Sequence, residues 1–208
     1  MTDMPKTGFL CAGKNALELS VSVHCAQKLM KELKISGFST GSCYTELWEM
    51  PTPERMSRAA KNLSYLCITN DLVITVGCEG FASGDVIPDI TEAICPKKAV
   101  YFSNVLCGSL GVTEMAVQAE GAEEEREDPV EIPPSRAYAG ICDGALILNF
   151  SNDIYTAVRL MKALIPAIGF TVYNISGKSA ASVIEFEKSL KTSPECKDFF
   201  KKRSVVNN

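Results

Sequence analysis

The chain has 208 residues and a mass of 22.5 kDa, enough for one domain with a full hydrophobic core. Its 46% hydrophobic and 22% charged residues are those of an ordinary globular protein, which argues against a disordered or fibrous chain. A net charge of −4 with a pI near 5.2 excludes the basic footprint of a nucleic-acid binder. No apolar stretch approaches the ~20 residues needed to cross a bilayer. Residues 1–15 lack a positive segment followed by an apolar one, so no secretory leader is expected and the expected location is the cytoplasm. Nine cysteines are scattered without a C-x-x-C pair, most beside apolar residues, and read as reduced, buried thiols.

Strand and helix signals alternate along the chain. Residues 7–12 form a short apolar run ending at Gly13, a first strand. Leu17, Val21, Cys25, Leu29 and Leu33 recur every fourth position and mark an amphipathic helix over 16–33. His24 falls within that periodicity and reads as structural. Gly37 and Gly41 bracket an irregular stretch, residues 43–50 read as extended with Trp48 in packing, and Thr52-Pro53 opens a second helix through Met56, Ala60, Leu63 and Leu66. A strand over 72–76, a helix over 88–95 and a weaker helical signal over 100–110 follow. Residues 121–134, acidic and proline-rich, predict an exposed insertion. Beyond it, residues 137–141 and 145–150 predict a hairpin around Asp143-Gly144. Helices over 154–168 and 180–190 and a basic tail complete the chain. The expectation is a single three-layer α/β/α domain over 1–177 with a mostly parallel sheet and one antiparallel hairpin, followed by a C-terminal helix and tail over 178–208.

The most informative stretch is DLVITVGCEGFASGDVIPD, residues 71–89. A strand empties into a loop punctuated by Gly77, Gly80 and Gly84, then Asp85, then a proline-started helix. Backbone N–H groups left unpaired at such a helix start collect anions, and in open α/β sheets ligands sit outside the carboxyl ends of the strands. A carboxylate beside a phosphate site serves Mg²⁺ or proton transfer; read structurally, Asp85 caps the helix that begins near Pro88. One histidine and no cysteine pair give zinc little support, and no nucleophile elbow or Cys/His dyad is present.

Residues 75–91 resemble the T-x-G-G-T-G-x-x-x-x-D-V-x-P-[ED]-x-T signature of the molybdopterin-binding family, which includes bacterial molybdopterin adenylyltransferases and the amino-terminal domain of gephyrin. GSLGVT at 108–113 is similar to the gephyrin-type GSLNVT, and SRAYAGICDGALILNF at 135–150 to the family's S-R-x-x-x-G-I-x-G-x-x-L-I-[IV]-N-[LM]. ALIPAI at 163–168 resembles its LLPALPHA helix, and order and spacing fit over about residues 7–177 apart from the insertion. The resemblance implies the molybdopterin-binding fold, a homotrimer, and transfer of AMP from ATP to the terminal phosphate of molybdopterin with Mg²⁺. It implies a catalytic and metal-binding Asp85, and a loop of Gly77, Cys78, Glu79, Gly80 and Phe81 holding the pterin phosphate. It places Ser135 and Arg136 at the pterin side, where a surface salt bridge is the alternative, and Asn149 at a strand end closing the pocket. Some members carry a fused molybdenum-insertion domain, which makes such a domain a candidate partner.

The departures from the family pattern fall on the chemistry. Gly13-Lys14 replaces the Ser-Asp that ends the first strand, and the Asp of the family's V-P-D-E stretch is absent near Pro51-Thr52-Pro53-Glu54. Gly77-Cys78-Glu79-Gly80 replaces G-G-T-G, Ser83-Gly84 replaces a Pro-Arg, and Asn149-Phe150-Ser151-Asn152 replaces N-L-P-G. Glu79 in an anion-binding loop repels phosphate, by ~1 kcal/mol if wet and several if dry. Either it turns to solvent, or it joins Asp85 on Mg²⁺ while Lys14 holds an ATP phosphate. Three readings follow: a molybdopterin adenylyltransferase, a catalytically degenerate pterin-binding relative, and a protein-interaction module using residues 121–134.

Overall fold

Residues 4–47, 49–108 and 135–177 are described by the computed structural model of the chain. In chain order they form β1 (Lys6–Gly13), α1 (Ala16–Ile35), β2 (Ser39–Leu47), α2 (Pro53–Thr69), β3 (Leu72–Val76), α3 (Ile87–Ile94), β4 (Lys97–Lys98), α4 (Val100–Leu106), β5 (Ala139–Cys142), β6 (Ala145–Phe150) and α5 (Ile154–Ile175). The strands make one sheet in the order β2-β1-β3-β6-β5-β4. β2, β1, β3 and β6 are mutually parallel, and β5 runs antiparallel to both of its neighbours. The expected architecture holds, with the hairpin turned at Asp143 (φ 48°) and Gly144 (φ 83°).

Two cores separate three layers. Phe9, Cys11, Ile74, Val76, Leu146, Leu148 and Phe150 point to the face covered by α1, α4 and α5. Leu10, Ala12, Val73 and Ile147 alternate to the other face, beneath α2 and α3. β3 and β6 are buried along their whole length, as parallel strands covered on both faces are.

Four elements differ from expectation. β2 begins at Ser39 and runs through Gly41, where an irregular stretch was expected, and ends at Leu47 instead of reaching residue 50, because parallel pairing with β1 from Lys6 to Gly13 sets its length. In α1, Cys25, Leu29 and Leu33 are buried but Leu17 is 76% exposed, Val21 is exposed, and so is His24. An every-fourth spacing drifts by ~40° per step on a helix of 3.6 residues per turn, so Leu17 and Leu33 lie on nearly opposite sides. The buried stripe is Ser22, Cys25, Ala26, Leu29 and Leu33. α5 runs on to Ile175, because burial of Ile168, Gly169, Val172 and Tyr173 overrides the weak local propensity of that turn. With 22 residues it is the one helix among those described with the length and composition to cross a membrane, yet its inner face packs on the sheet. β4, two lysines long, has no period by which a sequence reveals it.

Trp48, the insertion 121–134, nearly all of the GSLGVT stretch, the helix expected over 180–190 and the tail lie outside the described residues.

Candidate active site

β1 is followed by β2 on one side of it and β3 on the other, so the chain changes direction between β1 and β3. At such a switch point the loops leaving the two strands diverge and open a crevice. The β1 loop contributes Lys14 and the β3 loop contributes Glu79 and Asp85. Lys14 Nζ reaches across to Asp85 Oδ1 at 3.1 Å.

The β3 loop turns sharply because two successive residues are left-handed, Gly77 at φ 88° and Cys78 at φ 55°. Only glycine fits at 77: an added Cβ would stand 2.5 Å from both Ala12 O and Ser22 Oγ. Ser22 Oγ donates to Ala12 O at 2.8 Å, so this close approach is locked from the β1 side. Cys78, buried, carries the other left-handed angle at a cost of about 1–2 kcal/mol. Gly84 also serves packing, since a Cβ there would lie 2.9 Å from Lys14 Cγ and Cδ. The stem of Lys14 thus lies over the position where the family pattern has an arginine.

Lys14 is itself held by the start of α1. Asn15 Oδ1 accepts from Glu18 N at 2.9 Å, and Glu18 Oε2 accepts from Lys14 N at 3.1 Å, a reciprocal cap of the helix end. The hydrogen bond to Asp85, reinforced by the charges of Asp85 and Glu18, holds the Lys14 ammonium above its usual pKa despite partial burial.

Asp85 is 6% exposed. Its Oδ1 accepts from Lys14 and its Oδ2 accepts from Ala82 N at 2.9 Å. It does not cap α3, whose N-cap position is Val86 and has no side-chain cap. Glu79 is half-buried and turned inward, not to solvent. Burial pushes its carboxyl above the usual range and the charge of Asp85 adds to this; its own backbone N–H, the Ser151 hydroxyl and Lys14 act the other way. Lys14, Glu79 and Asp85 therefore share one crevice.

Other expected contacts are directed into the protein. Gly77 N donates to Phe150 O at 3.0 Å, so that loop N–H is committed to β6. Among the described residues, the loop N–H groups without a partner in the protein are those of Gly80, Phe81, Ser83, Gly84 and Val86, and Phe81 is 68% exposed. Arg136 braces the loop: its backbone N donates to Glu79 O, Nε to Gly80 O at 3.0 Å and Nη2 to Asp85 O at 2.6 Å. Its guanidinium also makes a two-point pair with Asp89, at 3.2 and 2.6 Å. That pair raises the Arg136 pKa further. Ser135 Oγ accepts from Ala137 N at 2.9 Å and is partly exposed beside the crevice loop's brace.

Asn149 lies beneath the site instead of lining it. It is 0% exposed; its Nδ2 donates to Thr75 Oγ1 at 2.8 Å and Thr91 Oγ1 at 3.0 Å, and its Oδ1 accepts from Tyr138 N at 3.0 Å. One amide thereby joins β3, α3, β6 and the lead-in to β5.

Sequence reasoning passed over Ser151 and Glu18, which touch Glu79 and Lys14. The Asn15-x-x-Glu18 spacing, a capping box, carries the signal for Glu18. It also passed over Glu46, buried at the end of β2, which accepts from Arg58 Nη2 at 2.6 Å and Asn62 Nδ2 at 2.6 Å and fixes α2 against the sheet.

This is an open α/β sheet with a charged crevice at its switch point. Solved structures give the fold a name. A molybdopterin biosynthesis protein from Mycobacterium abscessus matches with a TM-score of 0.61 at 18% identity, covering 85% of this chain and 98% of its own. The molybdopterin biosynthesis enzyme MoaB from Thermus thermophilus matches with a TM-score of 0.60 at 16% identity, covering 84% and 98%. The tungsten cofactor synthesizing protein MoaB from Pyrococcus furiosus matches at 0.58 and 14%, covering 85% and 98%. No protein-family model and no curated protein matches the chain by sequence. The chain has the fold of the MoaB and MogA molybdopterin biosynthesis proteins.

Proposed function

We propose that the chain is a molybdenum-cofactor biosynthesis protein that binds molybdopterin and transfers AMP from ATP to its terminal phosphate. The observation that supports this most is the meeting of Lys14, Glu79 and Asp85 in the crevice between β1 and β3. Lys14 supplies a cation to a nucleotide phosphate, and the N–H groups of Gly80 and Phe81 supply donors to the pterin phosphate. Both act by position and charge, which is what phosphoryl-type transfer asks of a protein.

The crevice is rich in carboxylate: Glu79, Asp85 and Glu18 face one ammonium, with Arg136 engaged by Asp89. Among the described residues no group of three or more His, Cys, Asp or Glu is placed to enclose a metal ion. Hard carboxylate oxygen is nonetheless the donor Mg²⁺ takes, one or two side chains at a time, when substrate phosphates complete its shell. Asp85 and Glu79 are the residues that would hold it, and the ion would neutralise charge on the phosphates. Lys14 then exchanges Asp85 for a phosphate oxygen, while Arg136 keeps the loop in place. A homotrimer, and delivery of product to a molybdenum-insertion domain, belong to the same reading.

The second reading, a pterin-binding relative that transfers nothing, draws on one observation: Glu79 is turned into the loop, where its own backbone N–H favours the carboxylate. A protein anion then stands where a phosphate would.

Purified chain given molybdopterin, Mg²⁺ and ATP separates the readings. Pyrophosphate release that disappears in Asp85→Asn, with melting temperature and circular dichroism retained, supports transfer. Molybdopterin binding without pyrophosphate supports the second reading, and absence of binding overturns both.

A further inference from the structure

The described cysteines are not equivalent. Cys11, Cys25, Cys67, Cys78, Cys95 and Cys142 are buried and Cys107 is partly so, whereas Cys43 is exposed. Cys43 sits on β2, the edge strand of the sheet, where a small reagent reaches it without unfolding. Its register partner on β1 is Phe9, and Cys11 pairs with Thr45. Residues two apart on a strand share a face, so Cys43 and Cys11 are diagonal neighbours on the same side of the sheet. Their sulfurs stand 3.9 Å apart, within hydrogen-bond distance for sulfur.

We propose that Cys43 is a hydroperoxide-reactive thiol and that Cys11, buried beneath it, is its resolving partner, the two closing a β1–β2 disulfide. This stands apart from any role of the crevice.

The chemistry balances with one equivalent of hydrogen peroxide. The Cys43 thiolate attacks a peroxide oxygen, forming an S–O bond as the O–O bond breaks. Hydroxide departs and takes up a proton, leaving Cys43 as sulfenic acid. Cys11 sulfur then attacks Cys43 sulfur, forming the S–S bond as the S–O bond breaks. The Cys11 proton leaves with the hydroxyl as water. Two thiols and one peroxide give one disulfide and two waters, and the peroxide takes both electrons.

The surroundings support the order of attack. The hydrogen bond shared between the two draws the Cys43 thiol below its usual value, with burial opposing it, and together with burial holds Cys11 above its own. Burial pushes Cys25 and Cys95 up to about 12, and raises Cys67 as well. Thiolate is the nucleophile, so Cys43 reacts first. Closure asks the sulfurs to approach from 3.9 Å to about 2.05 Å. β2 is paired on one side only and can supply that movement.

The test uses the full chain, reduced and freed of reductant, then exposed to a small excess of hydrogen peroxide. It is blocked with N-ethylmaleimide under denaturing conditions and digested for mass spectrometry. The expected result is a Cys11–Cys43 linked peptide that disappears on reduction and in Cys43→Ser. In wild type, Cys43 should lose maleimide labelling roughly tenfold faster than Cys25, Cys67 or Cys95. In Cys11→Ser, the sulfenic acid has no partner and dimedone should label Cys43. If that buried substitution prevents folding, Cys43→Ser, at an exposed position, still decides the matter. Oxidised wild type with maleimide on both residues, a link from Cys43 to another cysteine, or Cys11 losing maleimide labelling as fast in Cys43→Ser as in wild type would overturn the proposal.

Discussion

Replacing Gly77 by alanine separates two ways in which a glycine is required. At φ 88° an alanine pays the left-handed penalty, about 1–2 kcal/mol. Its Cβ would also press to 2.5 Å on Ala12 O and Ser22 Oγ, one of them backbone and both buried against β1. Overpacking of this kind costs a further ~1–3 kcal/mol, because β1 and β3 have to part or the Ser22–Ala12 hydrogen bond has to break. The expected loss is about 2–5 kcal/mol, a large share of the ~5–15 kcal/mol that holds a typical domain together. Gly144→Ala is the control: φ is 83°, yet nothing lies within 4 Å of the added carbon. It should lose only the backbone part, ~1–2 kcal/mol. Urea denaturation of both variants and wild type gives the difference, which measures crowding alone. Equal losses in the two variants would refute the argument that close approach of β1 and the crevice loop fixes glycine at 77.

Three further outcomes follow from the geometry. Lys14→Met should cost about 1–3 kcal/mol of folding stability, since it leaves the buried Asp85 carboxylate with Ala82 N alone, and weaken ATP or pyrophosphate binding roughly tenfold by calorimetry; an unchanged affinity removes Lys14 from the site. Burial keeps the Glu79 proton in the folded chain to higher pH than in the unfolded one, so its contribution to stability falls as pH rises from the ordinary carboxyl range through the folded pKa. Glu79→Gln should therefore be more stable than wild type at pH 7, with the gap closing below about pH 4; melting curves whose separation is constant across that range would contradict this. Asn149→Ala should cost about 2–4 kcal/mol, because it strands the Tyr138 N–H and the Thr75 hydroxyl at a site 0% exposed, while Thr91 keeps its bond to Ile87 O. A loss in ligand affinity without a loss in stability would return Asn149 to the crevice wall.

The sequence made some of this legible and hid the rest for physical reasons. β3 and β6 are readable residue for residue because both are apolar runs bounded by turn formers, and Asp143-Gly144 announces its hairpin. Lys14, Glu79 and Asp85 are readable as a group because each lies just beyond the end of a strand, where a parallel sheet gathers its loops. The roles of Arg136 and Asn149 were not, since their partners lie 47 to 57 and 11 to 74 residues away along the chain. The same holds for the inward turn of Glu79 and the approach of Cys43 to Cys11. The exposed end of α1 was misread because a four-residue spacing looks regular on paper and precesses on a helix.

The ammonium of Lys14 already has a carboxylate partner within the protein itself. On the proposed reading, an incoming phosphate oxygen would not find a waiting cation; it would displace a carboxylate from one. Recognition would then be a trade of partners, with Asp85 set loose as the anion arrives. The event that seats a ligand would uncover a base or a metal-binding group beside it, and the pairing keeps that group quiet until then.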